Sequence, residues 1–148
     1  MGYWLLKTEP TEYAWEDLQK DGVAAWTGVT NAQAQRNLRA MKAGDRAVIY
    51  HSGERRAVGV AEVVRPAYRD PKGEDGVCVD VRAVAPLPAP VPLEALKQEP
   101  AFEGSLLLRQ GRLSVVPLSP AEWRDLEGVA DVIARTGGFH GASSAFDF

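Results

Sequence analysis

His51 and Ser52 are neighbours in the chain, and a histidine beside a serine is the pairing from which a base-activated nucleophile can be built. Arg46 to His51 predicts a strand, however, and adjacent side chains of a strand point to opposite faces, so a direct contact between the two is not expected. The remaining candidates for covalent or metal chemistry are His140 and the single cysteine, Cys78. These residues form no Cys/His pairs at zinc spacing, and the His-x-Glu and Pro-Cys-x-x-Cys patterns of nucleobase deaminases are missing. Cys78 alternates with Val77, Val79 and Val81, which predicts a small packing residue. The chain has no Gly-x-x-x-x-Gly-Lys-Ser/Thr phosphate loop, no Gly-x-Gly-x-x-Gly ahead of a helix and no Gly-x-Ser-x-Gly elbow. Carboxylate pairs such as Glu16-Asp17 fall on a predicted surface helix, where solvation is the ordinary explanation. The inventory predicts a protein that binds rather than transforms its partner, with no catalytic residue, metal or cofactor.

The elements that must position any binding residues are short. Tyr3-Trp4-Leu5-Leu6-Lys7 predicts an opening strand with Trp4 in the core, closed by Glu9-Pro10 because proline donates no ladder hydrogen bond. A helix is predicted at Trp15 to Lys20 with Gly22 as its stop, and a second at Asn31 to Lys42, where Ala34, Leu38 and Met41 fall at helical spacing and Gly44 is the expected cap. Between them Trp26 is expected in a glycine-bounded loop. Arg46 to His51, Ala57 to Val64 and Val77 to Val84 predict consecutive antiparallel strands. Pro86 to Pro92 is expected to be a rigid extended connection, followed by a short helix through Lys97. Leu113 to Val116 predicts another strand, and Ser119-Pro120-Ala121-Glu122 a capping box that starts a helix with Trp123 and Leu126 facing inward. The tail from Gly137 to Phe148 is small and polar apart from Phe139, Phe146 and Phe148, and is expected to be either mobile or pinned by those aromatics. Many short strands with brief helices predict an α+β fold, a small mixed or antiparallel β-barrel decorated with helices.

Bulk properties narrow the partners. The 148 residues, 45% of them apolar, suit one domain with one core. No run of about 18 apolar residues and no basic-then-apolar leader occurs, so a soluble, cytoplasmic protein without a membrane partner is expected, monomeric by preference. A net charge of −3 argues against coating long stretches of phosphate backbone. Arg36, Arg39, Lys42, Arg46, Arg55, Arg56, Arg65 and Arg69 nonetheless all fall between positions 36 and 69, either as a local basic face or as a solvated one.

Six blocks of this chain, in order, resemble the EVE family. They are Tyr3 to Pro10, Trp26 to Ala34, Leu38 to Asp45, Tyr50-His51-Ser52, Gly59 to Val64 and Leu108 to Pro117. The similarity extends to about Leu126 and is expected to define a domain over residues 1–128, with 129–148 as a C-terminal extension. It implies a PUA-like barrel related to the ASCH and YTH domains, whose members bind RNA or DNA, and for EVE domains a proposed recognition of modified bases, notably cytosines. Against the commoner family wording, Gly28-Val29-Thr30-Asn31-Ala32-Gln33-Ala34-Gln35 lacks two cations and an aromatic, and Gly111 replaces a serine. These departures bear on backbone affinity and base choice and leave the fold expectation untouched.

A reader of a modified base must take the base out of its stack and recover that cost by stacking and edge hydrogen bonds. Trp26 is the expected stacking face, with a core position as its rival reading. Asn31 offers a donor and an acceptor, unless it merely caps its helix; Ser52 could supply a close hydroxyl. Lys7, Thr8 and Glu9 end the first strand, where polar groups converge on a rim, and Glu9 could accept from a cytosine amino group or pair with Lys7 or Arg112. Ser114, like Thr27, could select a 2′-hydroxyl. Arg36, Arg39, Arg109 and Arg112 are the expected phosphate contacts. RNA and DNA both remain open, as does the alternative of a small-molecule or regulatory pocket without a nucleic-acid partner; a pure interaction module is the third reading.

Overall fold

The structure, a computed structural model, describes residues 1–73 and 75–137; the expected aromatic tail and His140 lie outside the described residues. Strand β1 (Tyr3–Thr8) is the inner pivot of the sheet. It runs parallel to β3 (Arg46–His51), with Tyr3 opposite Arg46, and antiparallel to β6 (Val115–Leu118), with Tyr3 opposite Leu118. Trp4, Leu5 and Leu6 are consecutive and all buried, as a strand covered on both faces requires. The indole of Trp4 donates to Asp45 at 3.0 Å, so its core position keeps a polar partner.

On the other side of β3 lie β4 (Arg56–Arg69), β5 (Val77–Pro92) and β2 (Val23–Trp26), giving the order β2-β5-β4-β3-β1-β6. Two expectations fail here. Trp26 is not in a loop: it ends β2, opposite Val79. Four residues are too few for alternation to show, and this strand exists because β5 offers it a ladder. Pro86 to Pro92 is likewise not a connection but the second half of β5, with Pro86 opposite Gly59 and Pro92 opposite Arg56. The prolines are tolerated because β2 pairs only with Val79 to Arg82, leaving the outer edge of the later residues without a neighbouring strand that would need their N–H groups.

The mixed α+β architecture is as expected, but the ladder has two ends, β2 and β6, and does not close into a hydrogen-bonded barrel. Helix α2 (Ala32–Ala40) lies against both halves of the sheet. From it, Asn37 donates to the Val115 carbonyl at 2.7 Å, and the Gln35 carboxamide donates to Val77 O and accepts from Val77 N. The helix stops at Met41, before the expected Gly44. That glycine instead makes the turn into β3 with φ +94°, its N–H donating to Val63 O.

Helix α1 (Trp15–Asp21) ends at Gly22, which has φ +79° as a C-cap glycine commonly does. Two four-residue helices follow β5, α3 (Leu93–Leu96), preceded by Pro92 as N-cap, and α4 (Leu106–Arg109), capped by Ser105. Helix α5 (Pro120–Thr136) carries the expected capping box, Ser119 Oγ accepting from Glu122 N and Glu122 accepting from Ser119 N. It runs on past residue 128, and its Trp123 stacks on Tyr3 at 4.8 Å between ring centroids. Cys78 is fully buried. No helix among the described residues is long and apolar enough to cross a membrane.

Candidate nucleic-acid interface

Three segments end side by side at one edge of β1. Ser52 N, just after β3, donates to Thr8 O, and Lys7 N donates to Ser114 O, just before β6, each at 2.9 Å. The end of β2 and the loop into α2 face them across a cleft of about 690 Å³. That size falls in the range of about 300–1,000 Å³ usual for small-ligand sites.

Lys7 and Thr8 from β1 and Glu9 just after it, with Trp26 and Asn31 opposite, line this cleft. Ser52, Arg112 and Ser114 complete the set of eight residues expected at a base site. Trp26 is only 8% exposed and meets Tyr13 edge-on, at 6.2 Å and 79°, so most of its indole is core and only a margin borders the cleft. The Asn31 side-chain oxygen caps α2 by accepting from Ala34 N at 2.9 Å, while its Nδ2 has no partner among the described residues. Glu9 forms an ion pair with neither Lys7 nor Arg112; its carboxylate lies beside Gly53. Lys7 donates through Nζ to Gly111 O at 2.8 Å and sits 5.8 Å from the Tyr50 ring, and burial lowers its pKa from the ordinary lysine value. Thr8 Oγ1 donates to Tyr13 O at 2.7 Å. Arg112 is exposed.

The expected phosphate contacts separate. Arg36 and Arg39 are exposed on α2 and line no cleft with the eight residues above. Their helical positions, which predicted solvent-facing side chains, did not say which way that face looks relative to the cleft. Arg109 lines a second, adjoining cleft of about 310 Å³, which shares Asn31, Gly111 and Arg112 with the first.

Sequence reasoning missed Glu12, Tyr13 and Lys72, which also line the main cleft. Tyr13 follows the Glu9-Pro10 turn, and that position beside a strand end was a usable signal. Its hydroxyl donates to Asp21 at 2.7 Å, and burial, then Asp21, pushes its pKa above the ordinary tyrosine value. It also missed the two residues that hold the far wall. Asp70, 2% exposed, accepts from Gly28 N at 2.8 Å and from Lys72 N at 2.7 Å, while Gln35 donates to Val29 O at 2.6 Å. Gly28 itself has φ +79°, a conformation favouring glycine. Nothing local to Asp70-Pro71 beyond a turn signal announces a partner 42 residues away. Among the described residues, no group of three or more His, Cys, Asp or Glu could hold a metal ion.

Thymocyte nuclear protein 1 of Mus musculus is 34% identical over 159 residues, covering 82% of this chain and 70% of the mouse protein. The crystal structure of a protein from Agrobacterium tumefaciens is 38% identical with a TM-score of 0.84, covering 88% of this chain and 93% of that one. The human THYN1 protein, solved in complex with 5-methylcytosine containing DNA, is 28% identical with a TM-score of 0.80, covering 88% of this chain and 98% of that one. The EVE domain model matches residues 2–129, and the chain belongs to the EVE domain family.

Proposed function

We propose that this chain reads a modified nucleobase, a modified cytosine first, in RNA or DNA, and does so without transforming it. The observation that carries the reading is one cleft combining an aromatic margin (Trp26, Tyr13), an unused amide donor (Asn31), an unpaired carboxylate (Glu9) and an exposed cation at the rim (Arg112). Extruding a base costs a few kcal/mol, and stacking returns roughly 1–3 kcal/mol per base, so edge contacts must supply the rest. Glu9 matches the exocyclic amino group of cytosine, a donor. The human relative solved with 5-methylcytosine containing DNA supports cytosine as the base.

The same reading includes a barrel-like closure. Asn37 bonded to β6 and Gln35 bonded to β5 support it, since α2 then bridges the open side of the sheet that the ladder leaves.

The test is binding of the purified protein, at low and high salt, to short single- and double-stranded oligonucleotides carrying cytosine, 5-methylcytosine, 5-hydroxymethylcytosine or N6-methyladenine. A preference for one modified cytosine, with affinity falling as salt rises, is the expected result. Absence of binding to every oligonucleotide at low salt overturns it. The net charge of −3 favours a second reading, a small-molecule pocket, which the same titration identifies as ligand binding indifferent to salt.

A further inference from the structure

The two adjoining clefts differ in chemistry. Glu9, Glu12 and two aromatics line the larger one beside the cations Lys7, Lys72 and Arg112, a mixed setting suited to a flat ligand with donors on its edge. The smaller one is lined by Arg109 and Arg112, the carboxamides of Asn31, Gln33 and Gln110, and otherwise only Gly111 and Leu113. It contains neither a carboxylate nor an aromatic ring, so it offers cations and neutral donors and nothing for a base to stack on.

One of its cations is arranged before any ligand arrives. Arg109 closes α4, and its Nε donates to Gly104 O at 2.7 Å, which fixes the guanidinium plane and leaves both terminal nitrogens without partners among the described residues. Arg112 belongs to both clefts and stands on the ridge between them. That ridge is pinned from below, because Lys7 Nζ donates to Gly111 O. A guanidinium held by one nitrogen with two more free is suited to bidentate contact with an anion that presents a pair of oxygens, such as the two non-bridging oxygens of a phosphodiester.

We infer that the smaller cleft seats the phosphodiester flanking the extruded base, with Arg109 as its principal contact and Arg112 bridging from the base cleft. The inference rests on the base-reading function proposed above. It replaces a diffuse basic face by one defined phosphate position and gives the strand a direction across the ridge, from Glu9 and Trp26 toward Arg109.

The experiment uses the full chain, wild type and Arg109→Ala, and single-stranded oligonucleotides with one central 5-methylcytosine. In a series of these, a single neutral methylphosphonate replaces each of the three phosphates on either side in turn. At one position the substitution is expected to weaken wild-type binding by roughly tenfold, the scale of one charged hydrogen-bonded contact. Arg109→Ala is expected to lose the same factor with natural DNA, to lose nothing further from that methylphosphonate, and to flatten the salt dependence by about one unit of slope. Its ratio of affinities for 5-methylcytosine over cytosine is expected to stay at the wild-type value, with an unchanged melting temperature. Arg109→Lys restores charge without the fork and is expected to recover only part of the loss. Wild-type binding that Arg109→Ala leaves unchanged, or losses that add rather than overlap, overturns the phosphate seat while the base-reading function survives. A wild-type protein that binds no oligonucleotide overturns both.

Discussion

Lys7 Nζ donates to the carbonyl oxygen of Gly111 at 2.8 Å, joining β1 to the loop that carries Arg112 across 104 residues of sequence. The bond is solvent-exposed, so its contribution to stability is small, but it fixes a segment that makes no ladder of its own. Lys7→Met keeps the apolar stem and removes the donor. It is expected to change unfolding free energy by less than about 1 kcal/mol while weakening oligonucleotide binding several-fold. Chemical denaturation and fluorescence anisotropy on one preparation check both.

The far wall of the cleft depends on Asp70. This buried carboxylate accepts from Gly28 N and Lys72 N and so ties the loop before α2 to the β4–β5 hairpin. Asp70→Ala leaves those amides without their acceptor, and a loss of roughly 1–3 kcal/mol is expected. Asp70→Asn retains one acceptor oxygen and is expected to fall between. Urea denaturation ranks the three proteins, and base affinity should follow the same order because Gly28 lines the cleft.

Gly59 marks a contact that sets the seat of α1. A Cβ placed there would lie 2.4 Å from the Trp15 ring, and the same tryptophan is held by its backbone amide donating to His51 Nε2 at 3.0 Å. The bond holds the Trp15 backbone in place, and the ring itself is buried, 3% exposed, so turning it away from a new Cβ displaces core neighbours. Gly59→Ala is therefore expected to destabilise by roughly 1–3 kcal/mol as an overpacked site does, read as a lower melting temperature. An unchanged melting temperature would show that α1 re-seats freely.

Asp45 supplies an acid-dependent element. Burial pushes its carboxyl up, but hydrogen bonds from Gly2 N, Lys42 N and Trp4 Nε1, with the N-terminal ammonium, outweigh this and leave its pKa below the ordinary aspartate value. A carboxyl depressed in the folded state contributes stability that is complete above its unfolded pKa, about 4, and is lost as pH falls through the lower folded value. Wild type is expected to lose stability over that acidic window more steeply than Asp45→Asn. Parallel slopes in denaturant midpoints against pH would contradict it.

What the sequence revealed followed from how local each signal is. The capping box at Ser119 and Glu122 and the stop at Gly22 depend on contacts within a few residues, and both are present. Strand β2 and the proline half of β5 were hidden because each exists only through a partner distant in sequence, β5 for one and β4 for the other. At the site, the residues expected around the base lie at strand ends and a helix cap, positions that a sequence marks with prolines, glycines and capping side chains. Arg36 and Arg39 were legible as exposed but not as standing outside the lining of the clefts, because helical period gives a face and not its direction in the fold.

Glu9 is the residue on which base choice should turn. Glu9 lines the cleft just after β1, and no cation among the described residues pairs with its carboxylate, so it is available as an acceptor. A carboxylate can only accept, and it therefore favours the amino group of cytosine over the carbonyl that thymine presents at the same place. Glu9→Gln introduces a donor on the same skeleton and can serve either base. The variant is expected to lose roughly tenfold in its preference for 5-methylcytosine over thymine, the lower part of the discrimination that one base-edge contact provides, with the loss divided between weaker cytosine binding and stronger thymine binding. Competition titrations with oligonucleotides differing only at the central base measure that ratio. If Glu9→Gln lowers affinity for both bases equally, the carboxylate positions the cleft rather than reading the base, and the Asn31 amide becomes the residue to test for selection.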